Sequence, residues 1–408
     1  MRILFLVSCI VGLCLSSSDP QRPPIPIGPD EAQKPAINDA LFRLALKTLN
    51  EKPNESGVVS PFSIGMALAT VNAGAGGKTS KEITDVAFPG IAPKHIEIFF
   101  DYELLCLGPS DYGRKPVDIA SAVYLEKSLD LLQGYEKKVA KLFRTKVEKA
   151  EFAKNPEAQR VKINKFASDA TKGHINELFK SSDISAQTKV AVVNAIHISS
   201  RFVDRFAKKD TKKKAFHNDD KTVKQIDMLN GVDRDAKFAE TDDYVFASLH
   251  LGGFNGPEYF VLVPKKGSLA ALKQQFISST KSYSKMHDNF TFSKELHITM
   301  PKFKTKTDRN LRETLKKMGI KDMFDEKKAD FTQISKARLS FSELIHQAEL
   351  EIDENGVTAA ADSAHSSIEF IPPFPGYKPT PHYITVDRPF IFGITNVNVP
   401  VFIGQYYG

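Results

Sequence analysis

The chain has 408 residues, of which 41% are hydrophobic and 26% charged, with a formal net charge of +7 at pH 7. This length and apolar content allow a large core, either as one large domain or as two or three smaller ones. The positive excess is modest for the length and no recognition motif accompanies it, so we exclude nucleic acid as a partner.

The N-terminus has the layout of a secretory signal peptide. Arg2 precedes an apolar run, which ends in three serines at residues 16–18. The run is too short to span a bilayer, so we expect residues 1–18 to be removed and the chain to be secreted without contacting a membrane. A buried first strand or helix is the alternative. Sequons at Asn54 and Asn289 are the predicted glycosylation sites.

Cys106 would be the single cysteine of the mature chain, because Cys9 and Cys14 leave with the signal. One cysteine cannot form an internal disulfide, so the core must supply the stability. Cys106 stands in a Leu-Leu-Cys-Leu sequence, and this apolar setting predicts a buried core residue and not a nucleophile.

The next segments predict a leader and two helices. Five prolines at residues 19–29 predict an extended leader ahead of a single domain at 30–408. Apolar residues from Ile37 recur at helical spacing up to the break at Pro53. Ser60, followed by a proline, then begins a second helix as its cap.

Residues 72–79 nearly match a phosphate-binding loop. However, Asn72 replaces the first glycine, and a helix precedes the segment where a strand is required, so we exclude nucleotide binding. The glycines end one helix instead, and Thr79 with Glu82 predicts a capping box at the start of the next.

Later segments predict helices concentrated in the N-terminal half and strands towards the C-terminus. This distribution favours an α+β fold with a large mixed sheet and smaller sheets. The predicted helices are 131–143, 161–179 and 311–318. The predicted strands are 119–125, the fully buried 189–198, 259–264, 296–304, 339–352, 383–394 and 401–406.

Basic clusters at residues 208–214 and 137–144 are predicted surface features. Either could attract a sulfated polysaccharide weakly. A solvated face without a ligand is the competing interpretation, because aromatic residues do not interleave with the lysines.

Motifs of common enzymes are absent from the sequence. It contains no Gly-x-Ser-x-Gly elbow, no His-Glu-x-x-His helix and no Cys-x-x-Cys pair. The ten histidines form no metal-spaced cluster, so we predict neither enzyme activity nor a metal or cofactor. His346, inside a predicted strand, is expected to be a hydrogen-bonded internal residue.

Residues 354–370 combine small side chains with a glycine at their start, which predicts a segment able to move. Alternation puts Val357, Ala359 and Ala361 on one face of a strand. A strand with such a face could slide between two existing strands, and Gly356 supplies the backbone freedom to fold inward. A small-residue surface loop is the alternative.

Motifs spread over residues 30–408 resemble those of the serpins. The family's order of motifs is matched by Ser60-Pro-Phe-Ser-Ile, Val193-Asn-Ala-Ile, Met300-Pro-Lys-Phe, Asp387-Arg-Pro-Phe and Phe402-Ile-Gly. The resemblance implies the serpin fold, as a monomer with an exposed mobile reactive loop at about 355–386. It implies a shutter formed by Ser60, Ser63, Asn194 and His346. It implies a hinge formed by Glu354, Gly356, Val357, Thr358, Ala359, Ala360 and Ala361.

The sequence departs from the family pattern at several positions. Phe166 and Phe202 stand where the family usually has tryptophan, which the chain lacks. Val357 replaces a usual threonine or serine of the hinge, and its similar shape should allow insertion. Asp362 interrupts the alanine run on the outer face of the expected strand, where we expect it to stay solvated.

The resemblance implies a suicide inhibitor of proteases. The target attacks the loop and forms an acyl-enzyme, and the cut loop then inserts into the main sheet and distorts the attached protease. Strand addition of this kind is an established example from this family.

Two counts locate the bond that the protease would cut. Counted from Gly356 by the family's usual interval, the bond is Phe370-Ile371, which favours a chymotrypsin-like serine protease. Counted back from Pro389, the bond follows Lys378 and precedes a proline that resists cleavage. We prefer the first count because inhibition depends on the length of the segment that inserts.

Two alternatives remain open. Cleavage at Glu369-Phe370 would place Ile368 in the apolar site that papain-like cysteine proteases favour. A non-inhibitory binding, carrier or storage protein would suit the proline-rich segment 371–382 and the bulky His365, although the small hinge residues argue against it.

Overall fold

A computed structural model describes residues 28–30, 32–107, 117–252, 256–278, 283–358 and 380–408. Its helices are α1 (Gln33–Leu49), α2 (Pro61–Asn72), α3 (Gly77–Ala87), α4 (Pro93–Cys106), α5 (Gln133–Phe143), α6 (Pro156–Ala170), α7 (Leu269–Ile277), α8 (Tyr283–Asp288) and α9 (Arg312–Met318). Short 3-10 helices lie at Lys208–Asp210 and Asp322–Phe324.

The strands, in chain order, belong to several sheets. They are β1 (Gly57–Val59), β2 (Val117–Glu126), β3 (Lys146–Ala150), β4 (Val190–Ile198), β5 (Ser200–Arg201), β6 (Lys212–His217), β7 (Val223–Asp233), β8 (Ala236–Glu240), β9 (Tyr244–His250), β10 (Glu258–Pro264), β11 (Thr291–Ser293), β12 (Leu296–Pro301), β13 (Phe303–Asn310), β14 (Ile345–Ile352), β15 (Gly356–Val357), β16 (His382–Thr385), β17 (Phe390–Asn396) and β18 (Val399–Tyr406).

The strands form one seven-stranded sheet and three smaller ones. The seven-stranded sheet has the order β1-β18-β17-β10-β9-β8-β11. The others have the orders β16-β12-β7-β6, β13-β14-β15-β5 and β3-β2-β4. The helices and several sheets together confirm the predicted α+β fold, although the largest sheet is antiparallel throughout and the parallel pairs, β12 with β16 and β2 with β3, lie in smaller sheets.

The start of α2 follows the predicted pattern, whereas the start of α3 does not. Ser60 Oγ accepts the N–H of Ser63 at 3.1 Å, which confirms the predicted cap. The capping box at Thr79 and Glu82 was wrong, because α3 begins earlier, at Gly77. Glu82 Oε2 instead accepts the backbone N–H groups of Lys321 and Asp322, each at 2.8 Å.

Two predictions in the helical half are corrected. The helix predicted at 161–179 spans Pro156–Ala170, because the chain turns at Gly173 (φ +81°) and the later apolar residues pack from an irregular segment. Cys106 is exposed and not in the core, since it ends α4 on the side facing solvent.

Three predicted strands differ from the structure, two of them because the chain crosses between sheets. The chain of 296–304 leaves one sheet at Lys302 and enters another as β13. The chain of 383–394 crosses in the same way between β16 and β17. The segment 339–352 becomes a strand only from Ile345, although apolar side chains before it are buried. By contrast, β4 is buried throughout, as predicted.

The strands β4 and β14 lie side by side, yet among the described residues no strand pairing joins them. Side chains from both strands contribute to one small apolar cluster, where Val193 and Ala195 of β4 meet Ile345 of β14. The neighbouring strands β5 and β15 close the same division at one end. This division between β4 and β14 is here called the split.

Candidate functional site

The predicted hinge begins inside a sheet, as the strand β15. Val357 pairs with Ile352 of β14 on one side and with Ser200 of β5 on the other, and both pairings are antiparallel. The segment therefore occupies the end of the split. Residues 359–361 of the predicted hinge lie outside the described residues.

Gly356 lies so close to β5 that no side chain fits there. Its φ is +154°, and an added Cβ would lie 2.3 Å from the carbonyl oxygen of Ser200 and 2.6 Å from the Cα of Arg201. The preceding turn is held by Asp353, whose Oδ1 accepts the N–H groups of Asn355 and Gly356 at 2.7 and 3.1 Å. Glycine is required here because the obstacle is backbone, which cannot rotate away.

Val357 and Thr358 mark the point where the strand ends. The Val357 side chain is fully buried in the main core. Thr358 donates its N–H to the carbonyl of Glu351 at 2.8 Å, and its own carbonyl accepts from Ser199 Oγ at 3.0 Å. Thr358 has a φ of +44°, in the left-handed region, so a strand that continued further would have to change this angle.

Glu354 anchors the turn before the hinge. Its side chain is buried, and Oε1 accepts from Thr211 Oγ1 while Oε2 pairs with Lys302 Nζ, both at 2.8 Å. Burial alone would raise the pKa of Glu354, but the hydrogen bonds from Lys302 and Thr211 hold that pKa below its usual range. A charged carboxylate is thus kept beside the end of the split.

The predicted shutter residues converge beneath the strands that flank the split. The N–H of Ser60 donates to His346 Nε2 at 3.0 Å, and Ser60 Oγ donates to the carbonyl of Val401 at 2.7 Å. Ser63 Oγ donates to Asn194 Oδ1 at 2.8 Å. The start of α2 therefore contacts both β4, through Asn194, and β14, through His346.

His346 accepts a hydrogen bond as a neutral imidazole, as predicted for an internal residue. Burial, with a smaller effect of nearby Arg309, lowers the pKa of His346 to about 3. Asn194 has one unsatisfied group, since its buried Nδ2 finds no acceptor among the described residues. An unsatisfied donor at the split is a site that an incoming acceptor would stabilise.

The segment 171–188, here called the strap, crosses the face of the split opposite the shutter. Its apolar side chains, including Phe179, share a cluster with β4 and with Ile345 of β14. Asn164 of α6 holds the strap, because its Oδ1 accepts the N–H of Phe179 at 2.8 Å. Lys180 also pairs with Asp308 of β13 at 2.8 Å. The strap therefore contacts strands on both sides of the split.

Other predicted site residues are exposed or lie beyond the described residues. Asn54 and Asn289 are exposed, and their glycosylation stays a prediction. The lysines at 208–214 lie on the surface as predicted, and their binding to a sulfated polysaccharide is untested. The proposed bond Phe370-Ile371 and its alternative at Glu369 fall outside the described residues.

Sequence patterns missed several residues that hold the hinge. Thr211 and Ser199 each bond to it from elements that are distant along the chain. The residues next to Thr211 and Ser199 in the sequence do not indicate that their hydroxyl groups contact a distant segment. Lys302 stood within a recognised motif, but its pairing with Glu354 was not predicted.

Among the described residues, no three His, Cys, Asp or Glu side chains converge as metal ligands. None of the described helices combines the length and the hydropathy that a transmembrane segment needs.

Comparison with known families gives one match over most of the chain. The family model described as "Serpin (serine protease inhibitor)" matches residues 35–408. Iripin-2 of Ixodes ricinus is 27% identical over 92% of this chain and 94% of its own length. Plasminogen activator inhibitor 1 of Sus scrofa is 26% identical, covering 85% of each chain. The crystal structure of the thermophilic serpin Tengpin in its native state superposes with a TM-score of 0.78 at 19% identity, covering 94% of this chain and 96% of that one.

Proposed function

The chain belongs to the serpin family, and from this membership we propose that it is a suicide-type inhibitor whose loop inserts into the split after cleavage. Members of this family are protease inhibitors and in general not enzymes, and several relatives of this chain carry inhibitor names. Secretion and a monomeric state are part of the proposal.

One observation carries the insertion step: β15 is already paired between β14 and β5, at one end of the split. Continuing the register of Val357 would bring Ala359 beside Ile198, with its small side chain towards the core. It would bring Ser363 beside Asn194, whose Nδ2 needs an acceptor. A strand of about twelve residues, at roughly 1 kcal/mol net for each hydrogen bond, would gain on the order of 10 kcal/mol.

The same register bears on Asp362, which would lie beside Ala195. The Ala195 side chain is buried in the cluster beneath α6 and the strap. Asp362 can stay solvated, as expected from its outer face, only if the strap moves away during insertion. Displacement of the strap is therefore part of the proposed mechanism.

We assign the cut to Phe370-Ile371, which suits a chymotrypsin-like serine protease. A cut at Glu369-Phe370, with a papain-like cysteine protease, is the alternative. The support for the first bond is its distance from Gly356, because the hinge position sets the length of strand that can insert.

The test incubates the protein with chymotrypsin, elastase, trypsin and a papain-like protease. We expect a detergent-resistant complex with chymotrypsin on a gel, and a C-terminal peptide that starts at Ile371 by mass spectrometry. A peptide that starts at Phe370 would move the bond and favour the cysteine protease. Cleavage by every enzyme without a complex, and without a gain in heat resistance, would support the non-inhibitory alternative.

A further inference from the structure

The outer face of the sheet β16-β12-β7-β6 carries a polar platform. Strand register places Lys212 and Lys214 of β6, Asn230 of β7, His297 and Thr299 of β12, and Tyr383 of β16 on this face. These six residues are here called the platform, and they line a depression of about 460 Å³.

One end of the platform is cationic. Asn230 organises it, since its Oδ1 accepts from Lys214 Nζ at 2.7 Å and from Thr299 Oγ1 at 2.8 Å. The exposed residues Lys208 and Lys209 extend this positive surface next to Lys212, although Asp210 also lines the depression. Among the described residues, none of these three lysines has a carboxylate partner, in contrast to Lys304, which pairs with Glu349 at 2.6 Å. This charge is available to a partner.

The other end of the platform is aromatic. Tyr383 is 70% exposed, and its ring stacks on that of His297 with centroids 4.7 Å apart and planes at 15°. His297 is held in turn by Glu295, whose Oε1 lies 2.9 Å from Nε2. A rigid exposed tyrosine is a typical anchor of a protein interface.

The position of the platform identifies the partner. Tyr383 lies on β16, which begins at His382, shortly after the segment that would carry the cut bond. Phe370 and Tyr383 are 13 residues apart in the chain, which spans at most about 45 Å, so a protease that engages Phe370 would be held within reach of the platform. We propose that the platform is an exosite: it docks an acidic surface of the target protease beside that enzyme's active-site cleft. This inference rests on the proposed function and refines its target to proteases with such a surface.

The expected effect is on association and not on insertion. Complementary charge raises association rates by about 10- to 1,000-fold at low salt, and the gain falls as salt rises. A sulfated polysaccharide would need only the lysines, whereas a docked protease would also use Tyr383. Substitution of Tyr383 should therefore weaken the docking of a protease but not the binding of a polysaccharide.

The test uses whichever of the four proteases forms the complex, before and after succinylation of its surface lysines. Succinylation makes the enzyme acidic, and turnover of a small substrate checks that its active site is intact. We expect the acidic form to associate at least about tenfold faster with the wild-type protein at low salt, and this advantage to vanish at high salt.

Two variants and one matched control assign the effect. K212E/K214E should abolish the advantage of the acidic protease, and Y383A should slow both forms about fivefold without changing the salt dependence. K137E/K141E reverses two exposed lysines of the other basic cluster and should change neither rate. The yield of complex should stay the same in all three.

Three results would overturn the exosite. An undiminished advantage in K212E/K214E is one, and an equal loss in K137E/K141E is another. A rate that responds to K212E/K214E only after heparin is added would assign the lysines to a polysaccharide instead. Failure to form a complex with any protease would remove the proposed function itself, and with it the exosite.

Discussion

The imidazole rings of His174 and His197 stack face to face, with centroids 3.6 Å apart and planes 8° apart. His197 is buried on β4, and His174 covers it from the strap. Asp118 Oδ2 lies 3.8 Å from His197 Nδ1 but is engaged by Lys172 at 2.9 Å. Burial and the neighbouring His174 lower the pKa of His197 to about 4. The strap thus rests on β4 through a stacked pair of imidazole rings.

This pair predicts loss of stability in acid. The unfolded chain takes up a proton at His197 near pH 6.5, whereas the folded protein resists it down to about pH 4. Stability is therefore full above pH 6.5 and falls between 6.5 and 4. His197→Phe should reduce the loss on going from pH 6.5 to 4.5 by about 2 kcal/mol.

The measurement is urea unfolding at the two pH values. His217→Phe, at an exposed histidine, is the control and should leave the pH dependence unchanged. His287 and His346 also have pKa values lowered to about 3 by burial, and they contribute equally in all variants. An unaltered pH dependence in His197→Phe would contradict the assignment.

Gly356→Ala should expel the hinge from the split. Its Cβ would collide with the backbone of Ser200 at 2.3 Å, and its φ of +154° is strained for alanine. We expect cleavage at the wild-type rate, a lower yield of covalent complex and a smaller gain in heat resistance after cleavage. Gly134→Ala is the control, because nothing lies within 4 Å of its added Cβ. Equal complex yields from the two variants would refute the steric argument.

Val357→Arg should convert the inhibitor into a substrate. The valine side chain is already buried in β15, where an unpaired charge costs several kcal/mol, so the arginine should keep the hinge outside the sheet before cleavage. Insertion must then bury that charge, which delays insertion relative to deacylation. Gels should show normal cleavage and no detergent-resistant complex. Val357→Thr keeps the shape of the side chain and should retain the complex. A covalent complex that still forms with Val357→Arg would contradict the insertion mechanism.

Lys302→Met should weaken the turn that holds the hinge. It leaves Glu354 buried with Thr211 as its remaining side-chain donor, which costs roughly 1–3 kcal/mol. Thermal unfolding should show the loss, and adding Glu354→Gln should recover part of it, since no charge is then left unpaired. Lys304→Met removes a more exposed pair and should cost less. Purely additive losses in the double variant would exclude coupling between the two side chains.

Local patterns predicted the parts of the fold that depend on local chemistry. The cap at Ser60 and the buried β4 followed from residue types within one turn or one strand. The helix expected at 161–179 failed because Ile175 and Phe179 are apolar for a different reason: they cover β4 and β14 from the strap. The spacing of apolar residues in the sequence indicates which side chains are buried. It does not show whether the backbone there is a helix or an irregular segment.

Local sequence patterns could not predict the contacts between segments that are far apart in the chain. Nothing near His197 indicates that His174 stacks on it, and nothing in β4 or β14 indicates that the two strands are unpaired. Family resemblance brought Ser60, Asn194 and His346 together as a set, and the structure places them around the split. Their distances and the unsatisfied Nδ2 of Asn194 became visible only in three dimensions.

The close contact of Gly356 with β5 also fixes the position along the sheet at which the loop begins. A slip of one residue in either direction would bring a side chain against the backbone of Ser200, so in the proposed mechanism the loop would enter in a single alignment. Each residue inserted or deleted between Gly356 and the cut would then move a captured protease by about 3.3 Å along the sheet. The number of residues between Gly356 and the cut bond would therefore set where the protease is held, so changes in loop length should matter more than most changes of side chain.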